Sequence, residues 1–293
     1  RGQTALCPLL YCSKMKVRDL LQDLGLSRSW IKRHKLPKSF LEKKLRGDDL
    51  SLELPLNLLN KNHVNPLYEG PQVSVLQETD DFLCVEKPAN VHSHPHAYSD
   101  RLNVLSAVRA IGRGEVLTPF VGECADAGLL YRLDFETSGC LVLAKTPKLK
   151  ESVFSHREEV MKSKEYCCWV SGRPPCEKGD LISYLLPSEK KGKKMKVFDA
   201  PEKGAQRAEL SYEVVAYREE DDLSELKVFL KTGLRHQIRA QLAGIQCPLV
   251  GDNLYGGKEA SRLYLHATSY VFHWQGGDLY FFSEVPWANS PFS

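Results

Sequence analysis

The chain lacks the long apolar segment that a membrane-spanning helix requires. No stretch approaches the roughly 18 consecutive apolar residues of a membrane span, and no segment has the charged start and apolar middle of a signal peptide. With 42% hydrophobic and 26% charged residues among 293, the composition is that of a globular protein. We therefore expect a folded protein of an aqueous, cytoplasmic compartment, without a membrane partner.

Paired metal-binding cysteines are also missing. The chain has nine cysteines, but no two of them form a C-x-x-C pair, so a structural zinc site is not expected. The odd number favours reduced thiols, several of them in apolar runs where cysteine behaves as a small hydrophobic residue.

A strong charge of either sign is absent, since the formal net charge is only +3. That balance does not establish a polyanionic partner. One short segment is nevertheless strongly basic and contains Lys190, Lys191, Lys193, Lys194 and Lys196. A solvated loop and an RNA contact explain this segment equally well.

Three parts can be distinguished along the chain. Residues 1–14 precede the first methionine, Met15, and fit either non-native or upstream sequence or a processed terminus. Residues 15–70 are expected to form a small basic helical region and a linker, and residues 71–293 the main domain.

The basic region has the pattern of two short helices. Apolar residues recur at helical spacing from Val17, Gly25 closes this helix, and Ser27 can cap a second one. The pattern resembles the first half of a small alpha-L RNA-binding module. Two basic helices packed on the main domain are an equal alternative.

Strand patterns dominate the main domain. Strands are predicted at Val73–Leu76, Phe82–Val85 and Cys140–Ala144, and hairpins at Leu210–Tyr217 with Leu223–Lys231 and at Tyr270–Trp274 with Leu279–Phe282. One helix is predicted from Asn103 to Ile111, and another is capped by Thr146 and continues to Val160. Hairpins separated by single helices predict an α+β fold around a largely antiparallel sheet.

The first segment that could carry chemistry runs from Tyr131 to Gly139. It places Asp134 in a polar turn directly before an apolar strand, and side chains at strand ends commonly build sites. By itself, an aspartate before Thr-Ser-Gly is more often a turn former that bonds its own backbone.

Two further segments offer an arginine and a tyrosine. In the segment from Lys231, Gly233 ends a strand and a helix follows that carries Arg239 beside its apolar stripe. A carboxylate would be the natural bidentate partner of that cation, although a surface arginine is the alternative. The segment Lys164–Gly172 is a strand with Tyr166, which could stack on a nucleobase or simply pack in the core.

Together and in this order, the segments resemble the RluA-type RNA pseudouridine synthase family. The family's motif His-Arg-Leu-Asp, then Thr-Ser-Gly and Ala-Lys, is matched by Arg132, Leu133, Asp134, Thr137, Ser138, Gly139, Ala144 and Lys145. Its motif Thr-Gly-Arg-x-His-Gln-Ile-Arg is matched by Thr232, Gly233, His236, Gln237, Ile238 and Arg239. Further matches are Glu86, Lys87, Pro88, Ala89, Lys164, Tyr166, Pro248, Val250, Gly251, Asp252, Leu254, Tyr255, Gly256, Leu265, His266 and Ala267. The resemblance covers about Pro71 to Trp287.

The resemblance implies a pseudouridine synthase fold and the isomerisation of uridine to pseudouridine in structured ribosomal or transfer RNA. Asp134 would be the nucleophile or general base that detaches uracil from its ribose. Arg239 would be its ion-pair partner, and Tyr166 would stack on the target base. A carboxylate can attack covalently or remove a proton, so no cofactor and no metal are expected.

The resemblance also implies which residues contact RNA. Arg132 would fill the stack vacated by the flipped uridine. The other expected RNA contacts are Lys87, Lys164, Arg235 and His236. We expect RNA as the partner and a monomeric enzyme.

Four residues depart from the family pattern. Tyr131, Asn90, Leu234 and Gln241 stand where histidine, glycine, arginine and histidine are usual. Positions 234 and 241 are expected to border the RNA path, so these departures concern the target site and leave Asp134 in place.

Three other interpretations compete with the enzyme. His92, His94 and His96 alternate like metal ligands, but Pro95 interrupts them, which favours loop histidines near RNA. A hydrolase with Asp134 and Glu136 as paired carboxylates fits poorly, because residues two apart do not flank a sugar. An RNA-binding protein without catalysis has no need for a carboxylate that repels phosphate.

Overall fold

The structure is a computed structural model that describes residues 16–23, 32, 35–44, 64–65, 67–97, 99–120, 126–188 and 194–287. The chain divides into two compact units. The first contains the residues up to Leu83, Val91–Arg132 and Val142–Phe154, and the second contains Cys84–Asn90, Leu133–Leu141 and the chain from Ser155. Among the described residues, no helix combines the length and apolarity needed to cross a membrane.

Ten strands lie within the described residues. They are β1 (Val75–Glu78), β2 (Phe82–Lys87), β3 (Ser138–Ala144), β4 (Met161–Ser171), β5 (Lys178–Pro187), β6 (Met195–Phe198), β7 (Gln206–Arg218), β8 (Leu223–Leu230), β9 (Leu265–Trp274) and β10 (Gly277–Phe282). Hydrogen-bonded neighbours follow the order β1-β2-β3-β9-β4-β8-β7-β5-β6, and β10 pairs with β9. The neighbouring strands among β4 to β10 pair antiparallel to each other, whereas β3 and β9 are parallel. The predicted α+β fold around a largely antiparallel sheet is therefore confirmed.

Few helices accompany these strands. The described α-helices are α1 (Val17–Asp23), α2 (Lys38–Leu41), α3 (Val104–Val108), α4 (Pro147–Ser155), α5 (Arg157–Val160) and α6 (Gln237–Gly244).

Both predicted hairpins are confirmed. Strands β7 and β8 pair from Leu210 opposite Leu230 to Arg218 opposite Leu223. Strands β9 and β10 pair through a tight turn that places Gly277 opposite Trp274. Local turn residues between two apolar runs were sufficient to predict these pairings. The first predicted strand lies two residues further along the chain, as β1.

Two predicted helix starts are confirmed by their caps. The side chain of Asn103 accepts a hydrogen bond from the backbone N–H of Ser106 at 2.9 Å, which satisfies a donor in the first turn of α3. The hydroxyl of Thr146 likewise accepts from the N–H of Leu149 at 3.3 Å at the start of α4.

The same two helices are shorter than predicted. Helix α3 ends at Val108 and continues as a π turn, in which the left-handed φ of 78° at Gly112 breaks the α-helical path before a 3₁₀ turn. Val160 does not lie on α4, because His156 adopts a non-helical conformation and α5 begins after it.

The amino-terminal predictions are covered only in part. Helix α1 agrees with the first predicted helix, and Glu42 accepts hydrogen bonds from Lys16 at 2.8 Å and from Arg18. Gly25, the second helix with its cap Ser27, most of the predicted linker 46–70, and Lys190, Lys191 and Lys193 lie outside the described residues.

Strand β3 fixes one end of the segment that carries Asp134. All seven of its residues are buried, and it includes Ser138 and Gly139, the last two residues of that segment. Ser138 pairs with His266 and Gly139 with Ala267 on the parallel strand β9. A Cβ atom on Gly139, whose φ is 118°, would lie only 2.3 Å from the carbonyl oxygen of Ala267. Only glycine permits this close approach of the two backbones.

Replacing Gly139 should therefore destabilise the second unit. We expect Gly139→Ala to lower the free energy of unfolding by about 3 kcal/mol, because the methyl group meets backbone atoms and the φ is strained. Urea denaturation measures this loss. Gly277→Ala is the matched control, since no atom lies within 4 Å of its Cβ position. Equal midpoints for the two variants would contradict the prediction.

Candidate active site

A buried lysine holds the loop that carries Asp134. Lys87 is fully buried at the end of β2. Its Nζ donates to the carbonyl oxygens of Thr137 (2.5 Å), Pro88 (3.0 Å) and Phe135 (3.1 Å). Three acceptors match the three hydrogens of an ammonium group. Two of them follow Asp134 within three residues, so Lys87 fixes the backbone on the carboxyl side of the candidate catalytic residue.

A second buried lysine holds the segment before α6. The Nζ of Lys164 donates to the carbonyl oxygens of Lys231 and Thr232, both at 2.8 Å. The side chain of Gln237 completes this arrangement, because its Oε1 accepts from the Thr232 hydroxyl at 2.7 Å and from the N–H of Leu234 at 3.1 Å. The turn that leads into α6 is thereby fixed from two sides.

Lys87 and Lys164, which were predicted to contact RNA, are engaged inside the protein. Their exposed fractions are 0% and 9%, and backbone carbonyl oxygens accept their hydrogens. Burial lowers the pKa of Lys87 to about 7 and that of Lys164 to about 8. Both lysines are internal supports of the two motif segments.

Arg239 pairs with a different carboxylate from the one predicted. Its Nε and Nη2 donate to the two carboxylate oxygens of Asp252 at 2.7 and 2.8 Å, and its Nη1 donates to Glu136 at 3.2 Å. The bidentate geometry was expected, but the prediction that Asp134 is the ion-pair partner is wrong. Asp252 is only 1% exposed and needs a full countercharge, which the planar guanidinium supplies.

Arg239 still acts on Asp134 through its charge. Burial opposes the charged form of Arg239, but the hydrogen bond and charge of Asp252, with the charges of Glu136 and Asp134, raise its pKa above the ordinary value. The guanidinium is therefore a permanent positive charge near Asp134. It also lies over the ring of Tyr255, at 5.6 Å from the ring centroid.

The carboxylate of Asp134 lies among three cationic or titratable neighbours. Burial raises its pKa, while the charges of His236, Arg239 and Lys87 oppose this and that of Glu136 adds to it. The net direction is upward, so the carboxylate is more basic than an ordinary aspartate. A desolvated carboxylate stabilised from a distance, rather than by a direct ion pair, keeps its oxygens available for chemistry.

Tyr166 forms an aromatic wall in the same unit. The ring is buried on β4 and meets that of Tyr270 edge to face, with centroids 6.1 Å apart. The two hydroxyl groups share a hydrogen bond. Burial raises the pKa of Tyr166, and the negative charge of Asp134 adds to the effect, which indicates that the two groups are close. Tyr166 therefore stays protonated and can serve as a stacking surface.

The remaining predicted RNA contacts have different degrees of exposure. Arg235 is exposed, and His236 is half-buried with its Nδ1 3.3 Å from the Tyr255 hydroxyl. Arg132 belongs to the first compact unit, where its side chain is 60% exposed and 3.9 Å from Asp126. The arginines fit surface roles, and the half-buried His236 interacts electrostatically with Asp134.

Three of the four residues that depart from the family pattern pack inside the protein. Tyr131 is buried, and Leu234 packs against the cluster of Leu185, Ala208 and Ala240. Gln241 is 2% exposed and donates to Leu181, Ser183 and Ala208. The expectation that position 241 borders the RNA path is therefore wrong, because the side chain anchors α6 to the sheet.

The sequence did not predict that Asp252 and Glu136 both bind Arg239. Asp252 follows a glycine after an apolar run, and its Oδ1 also accepts from the N–H groups of Leu254 and Tyr255. A buried aspartate in a tight turn signals a structural countercharge, but the sequence does not indicate which arginine it meets. Glu136 is engaged by Arg239, which agrees with the rejection of a paired-carboxylate hydrolase.

The alternating histidines lie in the first unit. The Nε2 of His96 is 3.2 Å from the Nδ1 of His92, and His94 lies 3.8 Å from Asp126. In the part of the chain that the structure describes, no three His, Cys, Asp or Glu side chains are grouped so that they could hold a metal ion.

The buried ammonium of Lys87 should make stability depend on pH. Its folded pKa of about 7 lies below its ordinary value of 10.5. Between these values the unfolded chain binds more protons, so the free energy of unfolding rises with pH. Between pH 7 and pH 9, the free energy of unfolding of the wild type should rise by about 1 to 2 kcal/mol more than that of Lys87→Met.

Chemical denaturation at several pH values measures that gain. The exposed Lys162 provides the control, because Lys162→Met should leave the slope unchanged. Parallel curves for the wild type and Lys87→Met would show that Lys87 keeps an ordinary pKa in the folded protein.

Comparisons with known proteins identify the family of this chain. Uncharacterized RNA pseudouridine synthase YhcT of Bacillus subtilis is 29% identical over 204 residues, which are 68% of this chain and 63% of that protein. Ribosomal large subunit pseudouridine synthase D of Haemophilus influenzae is 29% identical over 191 residues, 65% of this chain and 55% of that protein. The chain thus spans less than two thirds of the length of these two relatives.

The fold agrees with a solved structure as well. Human RNA Pseudouridylate Synthase Domain Containing 1 has a TM-score of 0.61 at 20% identity, over 75% of this chain and 87% of that one. A family model described as RNA pseudouridylate synthase matches residues 81–244, more than half of the 293 residues. The chain therefore belongs to the RNA pseudouridylate synthase family, as its RluA-type motifs predict.

Proposed function

We propose that this protein isomerises uridine to pseudouridine in structured RNA, with Asp134 as the catalytic carboxylate. The observation that carries the proposal is the environment of Asp134. Among the described residues this half-buried carboxylate has no ion-pair partner of its own, and it lies on a loop fixed by Lys87. A protein that only binds RNA has no physical need for such a group.

The chemistry requires one bond to break and one to form. The bond between N1 of uracil and C1′ of ribose breaks, and a bond between C5 and C1′ forms. C5 loses its hydrogen as a proton and N1 gains one, so the net reaction is an isomerisation. Asp134 would act as a nucleophile or as a proton acceptor, and its raised pKa suits either role, because a more basic carboxylate is also more nucleophilic. Neither role requires a cofactor.

Base flipping explains the other members of the site. A uridine inside a helix cannot be isomerised, so it must leave the stack at a cost of about a few kcal/mol. The buried ring of Tyr166, held by the hydrogen bond to Tyr270, would stack on the extruded base. The exposed Arg132 would occupy the vacated position.

Ribosomal RNA is the substrate class that the relatives favour, since several of them are named ribosomal large subunit pseudouridine synthases. Transfer RNA is the other structured substrate that the proposal includes. The proposal also includes the sequence-based predictions of a monomer that works in the cytoplasm without metal. The exposed Arg235 and the half-buried His236 would contact RNA next to the site.

Loss of the carboxylate should abolish the reaction. Ribosomal and transfer RNA from cells that lack the gene, labelled with tritium at C5 of uridine, should release label to water with the wild type and not with Asp134→Asn. Asp199→Asn, at an exposed position, is the control that retains activity. Because burial disfavours the charged form of Asp134, the Asn variant should fold at least as stably as the wild type. If the wild type releases no label, the proposed function fails.

Removal of Arg235 should weaken RNA binding mainly through electrostatics. We expect Arg235→Ala to reduce the slope of log affinity against log salt by about one, because one phosphate contact is lost. Filter binding at 50 to 200 mM salt measures this slope. Arg173→Ala removes an exposed arginine that pairs with Glu177, and should leave it unchanged. Equal slopes for both variants would place Arg235 outside the RNA contact.

A further inference from the structure

A chain of hydrogen bonds with a charge at each end runs behind the loop of Asp134. Arg262 Nη2 donates to the Ser138 hydroxyl at 2.5 Å, and the Ser138 Oγ lies 2.8 Å from Nδ1 of His266. On the other side of the ring, Nε2 lies 2.9 Å from the Ser283 hydroxyl. That hydroxyl donates to the carboxylate of Glu86. All five residues belong to the second compact unit.

The positions of the hydrogens follow from the Glu86 end of the chain and from a neutral imidazole. The Ser283 hydroxyl gives its single hydrogen to the Glu86 carboxylate, so its oxygen accepts from Nε2–H of His266. In the neutral ring Nδ1 is then an acceptor. The Ser138 hydroxyl donates to it, while the Ser138 oxygen accepts from Arg262, whose guanidinium can only donate.

The surroundings of His266 favour this neutral form. The residue is fully buried, and burial together with the charge of Arg262 lowers its pKa to about 4. The indole of Trp287 lies edge to face with the imidazole at 5.9 Å and also covers Arg262 at 5.2 Å. Water is thus kept from two members of the chain.

Two members of the chain, Ser138 and Glu86, adjoin the contacts that hold the catalytic loop. Ser138 follows Thr137, whose carbonyl oxygen binds Lys87, and Glu86 precedes Lys87 on β2. The hydrogen-bond chain therefore joins the start of β3 to the end of β2 through β9 and Ser283. A shift of the loop would break either the Lys87 contacts or this chain.

We infer that His266, as the neutral Nε2–H tautomer, is a positioning residue that orders the loop of Asp134 through Ser138 and Ser283. The inference rests on the proposed function for its catalytic consequence. The alternative that Ser138, His266 and Glu86 act as a nucleophilic triad does not fit. Ser138 is 2% exposed, its oxygen is bound by Arg262, and Ser283 separates the imidazole from the carboxylate.

Substitution of Ser283 tests the inference with little change of volume. Ser283→Ala removes the link between His266 and Glu86, and should lower kcat about tenfold with KM for RNA unchanged, because small displacements of a reacting group cost rate rather than affinity. Ser283→Thr keeps a hydroxyl and should restore most of kcat. Ser224→Ala is the control, since it removes another fully buried hydroxyl, bonded to the Gly172 carbonyl at 2.8 Å, and should leave kcat unchanged.

The tautomer is measured separately by nitrogen NMR on protein labelled in its histidines. The wild type should show a neutral His266 with hydrogen on Nε2 down to about pH 5, and Ser283→Ala should lose this single tautomer. A protonated ring or an Nδ1–H tautomer in the wild type would overturn the inference. This measurement does not depend on tritium release, so it applies even if the proposed function fails. With an active enzyme, kcat unchanged in Ser283→Ala, or lowered equally in Ser224→Ala, would also overturn it.

Discussion

The ammonium group of Lys87 is buried, and backbone carbonyl oxygens receive its hydrogens. No carboxylate of the described residues is in direct contact with it. Burying a charge in this way is costly unless every donor is satisfied. The carbonyl oxygens of Phe135 and Thr137 satisfy it only while the loop keeps one conformation. The desolvation cost of the lysine thus becomes a constraint on the loop, and the position of Asp134 depends on that constraint.

The same principle recurs in the rest of the second unit. Lys164 donates hydrogen bonds to the backbone before α6. The Arg239–Asp252 pair fixes the side of α6 that carries Arg239. Buried cations therefore hold the motif segments, whereas the exposed Arg235 is left for the solvent side. In this protein the buried Lys87 and Lys164 support the backbone, and Arg235 remains a proposed RNA contact.

Under the proposed function, ordering of this kind is what the carboxylate of Asp134 needs. Asp134 gains basicity from burial but is not neutralised by a bound cation, and such a group is unfavourable for folding. The surrounding hydrogen bonds offset that cost and keep the carboxylate in place before a substrate arrives, which reduces the reorganisation needed during the reaction. The chain from Arg262 to Glu86 adds a second, largely neutral support at the start of β3.

Local patterns in the sequence predicted a large part of the fold. Alternation and turn residues predicted both hairpins, and the caps at Asn103 and Thr146 start their helices as expected, because each depends on neighbours within a few residues. The order of the motifs around Asp134, Tyr166 and Arg239 predicted the family. The helix ends near Ile111 and Val160 were missed, since single backbone conformations at Gly112 and His156 interrupt the periodic pattern.

Only the tertiary structure decided how the charged residues are used. The sequence does not show whether Lys87 and Lys164 point to RNA or to carbonyl oxygens, because four of the five oxygens that they bind lie 48 to 68 residues further along the chain. Arg239 likewise takes Asp252 rather than Asp134 because the turn after α6 brings that carboxylate to the Nε and Nη2 edge of the guanidinium. Sequence therefore determined which groups the site contains. Strand register and burial determined which of them bind each other, because pairing and desolvation depend on distances that no local pattern encodes.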